Sequence, residues 1–387
     1  MTQSDNEEIS SGKQIHNAAK ADTSQGQPWL IHLVSSNRWG GMQRYACDIC
    51  AHYKLQGWRV SAVTREARVV DDRFRDAGIE LLHAPLHGFF DPVSALMLAR
   101  ELREAPRNRT YVHVHRYRDA FTVLLAKRIA ARPDVRVFST RHTVRQGRNS
   151  WLFRRIYNKI NGHIFVSQTA FDRFKLPWPD KLPMEMKTVH ILHNSVNMRQ
   201  ASPMPEPSKG PIIAAYAGAV VKGKGIETII DALALLRDVK IRLRICGKGN
   251  PDYRDQLRRR AIARNVMERI DWKQNSESPY ESISGAHFVV LPSVDREAFG
   301  MSNIDAMAAA RPQICCPTGA QPEYLEDGRT AIFVPPADAS ALTSAMQKLA
   351  SDKSLREQMG RDAYDYYTKH LSWESFIPQL TAIYLNS

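Results

Sequence analysis

Three segments combine chemically useful residue types with a spacing that would position them. Glu297-Ala298-Phe299-Gly300-Met301-Ser302-Asn303-Ile304-Asp305 sets two carboxylates on either side of a glycine. It follows the apolar run ending at Leu291 and enters an alanine-rich stretch, so it is expected to be a loop running into a helix, with Glu297 in the loop and Asp305 two turns inside. Carboxylates so placed do not meet as a close pair. They suit the two ends of one long ligand, with the N–H groups of Gly300, Met301, Ser302 and Asn303 facing it at the helix start. A glycosidase pair is disfavoured, because the sequence sets no second carboxylate opposite either one. In Gly218-Ala219-Val220-Val221-Lys222-Gly223-Lys224-Gly225, Lys222 and Lys224 stand among three glycines. Point charges beside exposed amides suit a diphosphate, and the missing Gly-Lys-Ser/Thr ending excludes a Walker loop. Trp39-Gly40-Gly41-Met42 would let amides at a helix N-terminus approach an anion, although a glycine pair is also an ordinary tight turn.

The elements that must carry these segments alternate along the chain. Strands are expected at Trp29–Ser35, Arg59–Thr64, Leu81–Ala84, Tyr111–Val114, Arg136–Thr140 and His163–Val166. Helices are expected at Met42–Gln56, Asp91–Arg103, Asp119–Ala131 and Ser167–Phe174. The stretch Asn197–Pro211 has four prolines and no periodic apolar spacing, and so reads as an interdomain linker, set at 201–211. Beyond it, strands at Ile212–Ala217, Lys240–Cys246, Phe288–Leu291, Gln313–Cys316 and Ala331–Val334 alternate with helices at Glu227–Leu236, Asp252–Arg264 and Asn303–Ala310. Two or three helices close the chain from Ser340 to Leu385. Such alternation means parallel sheets covered on both faces. The expected fold is α/β, two doubly wound Rossmann-like domains facing a central cleft. They span 28–200 and 212–387, behind a polar leader at 1–27 expected to be disordered. The closing helices can cross back to the first domain.

The 387 residues, 43% hydrophobic and 24% charged, have globular composition and exceed one ordinary core. No apolar run is long enough to span a membrane, and the polar, acidic N-terminus does not look like a signal peptide. Five cysteines without an export signal suit reduced thiols in a cytoplasmic compartment. The net charge of +14 is one-sided: residues 1–205 hold 31 basic and 18 acidic side chains, residues 206–387 hold 23 and 22. Between Val135 and Phe171 there are seven basic residues and no acidic one. Such a face suits an anionic partner, whether nucleic acid, a phosphorylated glycan or an acidic membrane surface, or serves only as a solvated face.

In this order the motifs resemble glycosyltransferase family 4, which has the GT-B fold. Glu297 to Asp305 resembles that family's Glu-x7-Glu signature, and Ala306-Met307-Ala308-Ala309-Ala310-Arg311-Pro312 its continuation. Gly319, Pro322 and Glu323 match a Gly-x-Pro-Glu turn, Asp327-Gly328 an Asp-Gly pair, Gly40-Gly41 a glycine pair, and His142 a histidine that follows a strand. Val166-Ser167 and Asn194 match smaller landmarks. The resemblance covers roughly residues 28–385 and is specific in the second half, diffuse in the first. It implies retaining transfer of a sugar from a nucleotide-sugar, with the donor on the C-terminal domain, the acceptor on the N-terminal one, and no metal or other cofactor. By the resemblance Glu297 contacts donor-sugar hydroxyls, Gly300 to Asn303 the sugar and phosphate, and Asp305 the ribose. Lys224 with the Gly41 amides stabilises the departing diphosphate, and His142 orients the sugar. The sequence departs from the family pattern twice. Asp305 stands where Glu is usual, and Ala219 where many members have an Arg, with Lys222 placed to compensate.

The expected acceptor is a glycan or lipid-linked molecule of lipopolysaccharide, capsule or other envelope polysaccharide synthesis. The expected location is cytoplasmic, with an anionic membrane surface as a further partner of the basic half. The basic, aromatic stretch Trp151–Ile160 is either a helix touching acidic headgroups or an ordinary packing helix. Two other functions remain open at this level. A nucleotide-sugar epimerase on the same fold is opposed by the Glu297–Asp305 signature. A nucleic-acid-binding protein is opposed by the lack of a reading motif and of interleaved aromatic platforms, so no nucleic acid is expected. His113-x-His115 has metal-ligand spacing on one strand face but no third ligand. Cys47-x-x-Cys50 and Cys315-Cys316 are expected to be buried thiols rather than redox pairs.

Overall fold

The computed structural model describes residues 26–196, 203, 207, 210–237, 239–273, 283 and 285–387. Nearly all of the expected leader and most of the expected linker lie outside the described residues. The chain forms two parallel sheets. The first has seven strands: β1 (Trp29–Val34), β2 (Arg59–Thr64), β3 (Glu80–His83), β4 (Thr110–Val114), β5 (Arg136–Arg141), β6 (Gly162–Phe165) and β7 (Val189–Ile191). Their order is β3-β2-β1-β4-β5-β6-β7. The second has six: β8 (Ile212–Ala217), β9 (Ile241–Cys246), β10 (Ile270–Lys273), β11 (Phe288–Leu291), β12 (Gln313–Cys315) and β13 (Ala331–Phe333). Their order is β10-β9-β8-β11-β12-β13. These are the two Rossmann-like α/β domains expected.

The residues dictate this arrangement directly. Every side chain of β1, β4, β6 and β11 is buried, as continuous apolar runs must be when helices cover both faces of a parallel sheet. Helix starts are marked by short polar caps. Asp91 accepts from Ser94 N–H, Ser167 from Ala170 N–H, and Asp338 from Ala341 N–H. The observed helices and strands lie within two residues of their expected bounds. Three elements had not been foreseen. The helix Arg68–Asp76 is mostly charged and buries little beyond Val70, Asp71 and Phe74. Strands β7 and β10 are short, partly exposed edges without an apolar run. Trp151–Tyr157 is a helix whose Phe153, Ile156 and Tyr157 pack inward while Trp151 stays 69% exposed.

By compactness the chain divides into two units, residues up to 39 with 49–137, and residues 40–48 with 138–387. The first unit holds β1 to β4. The second holds the six-stranded sheet together with the glycine pair Gly40-Gly41. It closes with helices Ala339–Ser351, Lys353–Tyr366 and Trp373–Asn386. Within it the last helix returns to an earlier strand and an earlier helix, with Tyr384 edge-on to Phe138 of β5 at 4.9 Å and Phe376 edge-on to Tyr45 of the helix Gly41–Leu55 at 5.8 Å.

Candidate active site

The lysine-bearing loop leaves β8 at Ala217 and enters the helix Ile226–Leu235 at Gly225. Gly225 has φ +71°, and a Cβ there would lie 2.0 Å from the Pro292 carbonyl oxygen, so only glycine lets this loop pass so close to the chain after β11. That passage brings Lys224 to the Glu297 carboxylate. The ammonium donates to Oε1, which also accepts from Ser293 Oγ at 2.7 Å. Both side chains keep part of their surface, 30% for Lys224 and 20% for Glu297. Lys222 and Ala219 are exposed on the same loop.

The loop carrying Glu297 is held on several sides. Ala320 N–H donates to the Glu297 carbonyl at 3.1 Å, Ser167 Oγ to the Ala298 carbonyl at 2.6 Å, and the Tyr324 hydroxyl to the Phe299 carbonyl. The His193 ring lies 5.4 Å from that of Phe299, and its Nε2 donates to Glu323 at 3.0 Å. Glu323 also accepts from the N–H groups of Gln168 and Thr169, at 2.8 and 2.7 Å, and from the Thr169 hydroxyl at 2.6 Å. Its carboxylate therefore sits at the N-terminus of the helix Gln168–Lys175, where the dipole favours it. Burial pushes its pKa up, but the bonds from His193, Thr169 and Gln168 outweigh burial and hold it below the ordinary value.

The loop ends at Gly300, whose φ of +93° starts the helix Met301–Ala308. The Met301 and Ser302 amides, as the first of that helix, have no intrahelical acceptor. Asn303 is turned differently from expectation. Its N–H donates back to the Gly300 carbonyl at 3.0 Å, and its buried side chain donates to Gln313 at 2.6 Å. The helix start thus presents Gly300, Met301 and Ser302 rather than Asn303. A Cβ on Gly41 would lie 3.4 Å from Met301 Cγ, and one on Gly218 would lie 3.7 Å from Ser302 Oγ. Residues 40–48 belong to the same compact unit, so the glycine pair, the lysine loop and the carboxylate loop converge there.

Asp305 has surroundings unlike those the resemblance implied. It is completely buried, and Arg44 Nη1 donates to both of its oxygens at 3.1 Å. Arg44 stands one turn inside the helix Gly41–Leu55 and also approaches Asp48, 3.8 Å away. Burial raises the Asp305 pKa, and the Arg44 charge and hydrogen bonds oppose that rise. With an arginine on its carboxylate and no exposed surface, Asp305 faces the protein rather than solvent. Arg44 carried no signal in the sequence, since its partner is 261 positions away.

His142 packs edge-on against Tyr45 at 5.0 Å, and burial lowers its pKa to about 3, so it is a neutral imidazole near neutral pH. His113 and His115 do share one strand face. With His32 of the neighbouring β1 they form a buried stack of imidazoles, and His32 Nδ1 lies 3.0 Å from His115 Nε2. Among the described residues no set of three His, Cys, Asp or Glu side chains is arranged to hold a metal ion. All five cysteines are buried, and none is in a disulfide.

The model of Glycosyltransferase Family 4 matches residues 39–200, and that of Glycosyl transferases group 1 matches residues 198–366. The chain is 30% identical to an alpha-D-kanosaminyltransferase of Streptomyces kanamyceticus over 176 residues, 44% of this chain and 45% of that protein. It is 26% identical to a phosphatidyl-myo-inositol mannosyltransferase of Mycobacterium leprae over 290 residues, 70% of this chain and 72% of that one. The match to the first of these relatives spans less than half of its length. Among solved structures, a glycosyltransferase from Rickettsia africae superimposes with a TM-score of 0.81 at 16% identity, covering 93% of this chain and 98% of that one. Anabaena HepE in complex with UDP and glucose gives 0.78 at 15% identity, covering 92% and 98%. With both halves matched by models of one enzyme group, and with two parallel-sheet domains like those of these structures, the chain belongs to glycosyltransferase family 4 and has the GT-B fold.

Proposed function

We propose that this chain is a retaining glycosyltransferase, moving a hexose from a nucleotide-diphosphate sugar to a glycan or lipid-linked acceptor without a metal. The observation that carries the reading is the convergence of the Lys224–Glu297 pair with the helix starts at Gly41 and at Met301. A diphosphate placed there meets one ammonium and two helix N-termini, all of which favour the negative charge that grows as the sugar leaves. Glu297 then contacts the donor-sugar hydroxyls, and the acceptor attacks from the face the diphosphate leaves, its proton passing to the departing phosphate oxygen. The neutral His142 orients the sugar, and the six-stranded domain carries the donor. The UDP found in Anabaena HepE and the lipid in the name of the mycobacterial relative favour a nucleotide donor and a lipid-linked acceptor. Envelope polysaccharide synthesis, with the chain resting on a cytoplasmic membrane face, fits these partners. No helix among the described residues is long and apolar enough to cross a membrane.

Calorimetric titration with UDP, GDP and ADP, and then with their sugar conjugates, tests the donor. One nucleotide is expected to bind selectively, and absence of binding to all of them would sink the reading. With a donor in hand, Lys224→Ala should lower kcat by roughly 10²–10³, the usual loss of one leaving-group donor. Proton NMR of the product should show the anomeric configuration of the donor.

A further inference from the structure

In the first compact unit, the C-terminal edge of the sheet gathers arginines that the donor chemistry does not use. The register pairs Val34 with Thr64 and Leu33 with Val114. Continued by one step beyond Val34 and Thr64, and by two beyond Leu33 and Val114, it sets Ser35 between Arg65 on one side and Arg116 on the other, at neighbouring-strand spacings of about 4.8 Å. This is where the strand order reverses, between β1 and β4, and such a crevice at the carboxyl ends of strands is where open α/β sheets take ligands. Arg116 Nη1 donates to the Ser35 carbonyl at 3.4 Å, and Arg118 Nε approaches Asp119 at 3.4 Å. Arg116 precedes the helix Tyr117–Ile129, whose N-terminus has no side-chain cap. Asp119, buried and bound by Ser35 Oγ at 2.6 Å, is the carboxylate in contact with this group. Burial, then the charges of Arg118 and Arg65, hold the Arg116 pKa below its ordinary value against the pull of Asp119. Among the described residues, three arginines with one buried carboxylate are short of negative charge.

An apolar stripe adjoins them. Arg65 Nε donates to the Pro85 carbonyl at 3.1 Å, at the start of the loop that leads to the helix Pro92–Glu104. Asp91 ties that loop down, accepting from His87 N–H at 2.7 Å and from Ser94 N–H at 2.9 Å, while Ser94 Oγ accepts from Leu86 N–H at 2.9 Å. The loop so fixed presents Phe90, 84% exposed, beside Phe89, Val93, Leu96 and Met97, which are also exposed. The inner face of the helix, Ala95, Leu98 and Ala99, is buried, so apart from Ser94, whose hydroxyl is tied to the loop, its first two turns are apolar on both faces. A helix of that kind is ordinarily covered. Phe89 stands edge-on to Phe121 at 5.5 Å, and Phe121 lies one turn from Arg118 on the same helix face.

We infer that this edge binds the phosphate group of an amphiphile, its anion held by Arg65, Arg116 and Arg118 and its apolar chain laid along Phe89, Phe90, Val93, Leu96 and Met97. The inference deepens the transferase reading, making the acceptor a phosphate-bearing lipid, and it rests on that reading only for the word acceptor.

Calorimetry of the full chain with inorganic phosphate and with decyl phosphate below its micelle concentration separates a free phosphate from a lipid one. Decyl phosphate should bind at least tenfold more tightly than phosphate. Arg116→Ala with Arg118→Ala should abolish binding of both, and Arg116→Lys should restore part of it. Phe90→Ser with Leu96→Ser should reduce decyl phosphate to the affinity of inorganic phosphate. Equal affinity for the two ligands in the wild-type chain, or tight decyl phosphate binding that survives the arginine or the apolar substitutions, would overturn the inference. UDP and GDP titrated into the same preparations keep the two readings apart. Nucleotide binding without decyl phosphate binding removes this inference alone, and the converse removes only the donor assignment.

Discussion

Asp305 shows how the surroundings of a carboxylate decide its role. The resemblance implies a glutamate at this position reaching a ribose, and the shorter aspartate lies fully buried against Arg44. A buried ion pair of this kind does little for net stability, yet removing one partner strands the other. Arg44→Met should therefore destabilise the chain by about 3–5 kcal/mol at neutral pH. The abandoned carboxyl has its folded pKa raised further, so that loss should shrink as pH falls toward the ordinary carboxylate range. Arg44→Met combined with Asp305→Leu should recover most of it. Urea unfolding of the three proteins checks this, and an undiminished stability in Arg44→Met would show that the pair carries no such load. Lys224 and Glu297 differ, because both keep exposed surface and remain available to a ligand.

At the scale of elements, the carboxylate loop is shaped by what grips it from outside. Glu323 fastens the start of the helix Gln168–Lys175, and Ser167, which caps that helix, also holds the Ala298 carbonyl. Glu323→Gln retains the size and removes the charge that three donors and His193 now share. Amide hydrogen exchange at Gln168 and Thr169 should accelerate at least tenfold, with about 1–2 kcal/mol lost for a charge-assisted cap. Unchanged protection at both amides would refute the role of this carboxylate. Because the same brace touches Ala298 and Phe299, donor affinity should weaken in parallel.

For the whole molecule, the basic excess lies in the first half of the chain, and buried histidines set the response to acid. Burial lowers the pKa of His32 to about 3 and that of His163 to about 4, the latter despite the carbonyl of Tyr157 beside it. With folded values below the unfolded value near 6.5, the unfolded chain binds more protons once pH drops under 6.5. Stability is then whole above that pH and falls on acidification by about 1.4 kcal/mol per pH unit for each histidine. Urea midpoints measured from pH 7 to pH 4.5 should decline accordingly, and His163→Gln should remove about a third of that slope or less, because His142 and His190 are lowered by burial as His32 is. A flat profile would mean that these rings are protonated without cost.

What the sequence determined by itself is whatever is local. Apolar runs between glycines and caps specify strands and helices, and Glu297, Lys224, Gly41 and Gly300 stand out because glycine and charge are set together where a strand gives way to a helix. Edge strands β7 and β10 escaped because half-buried strands need no apolar run. Arg44 opposite Asp305, Glu323 beneath Thr169 and Ser293 on Glu297 are decided only by the tertiary structure, as is the placing of Arg65 and Arg116 on either side of Ser35. Each depends on partners far apart in the chain. A carboxylate or an arginine looks alike in sequence whether it will be buried against a counter-charge or left open to a ligand, and burial is settled only when the sheets and helices pack.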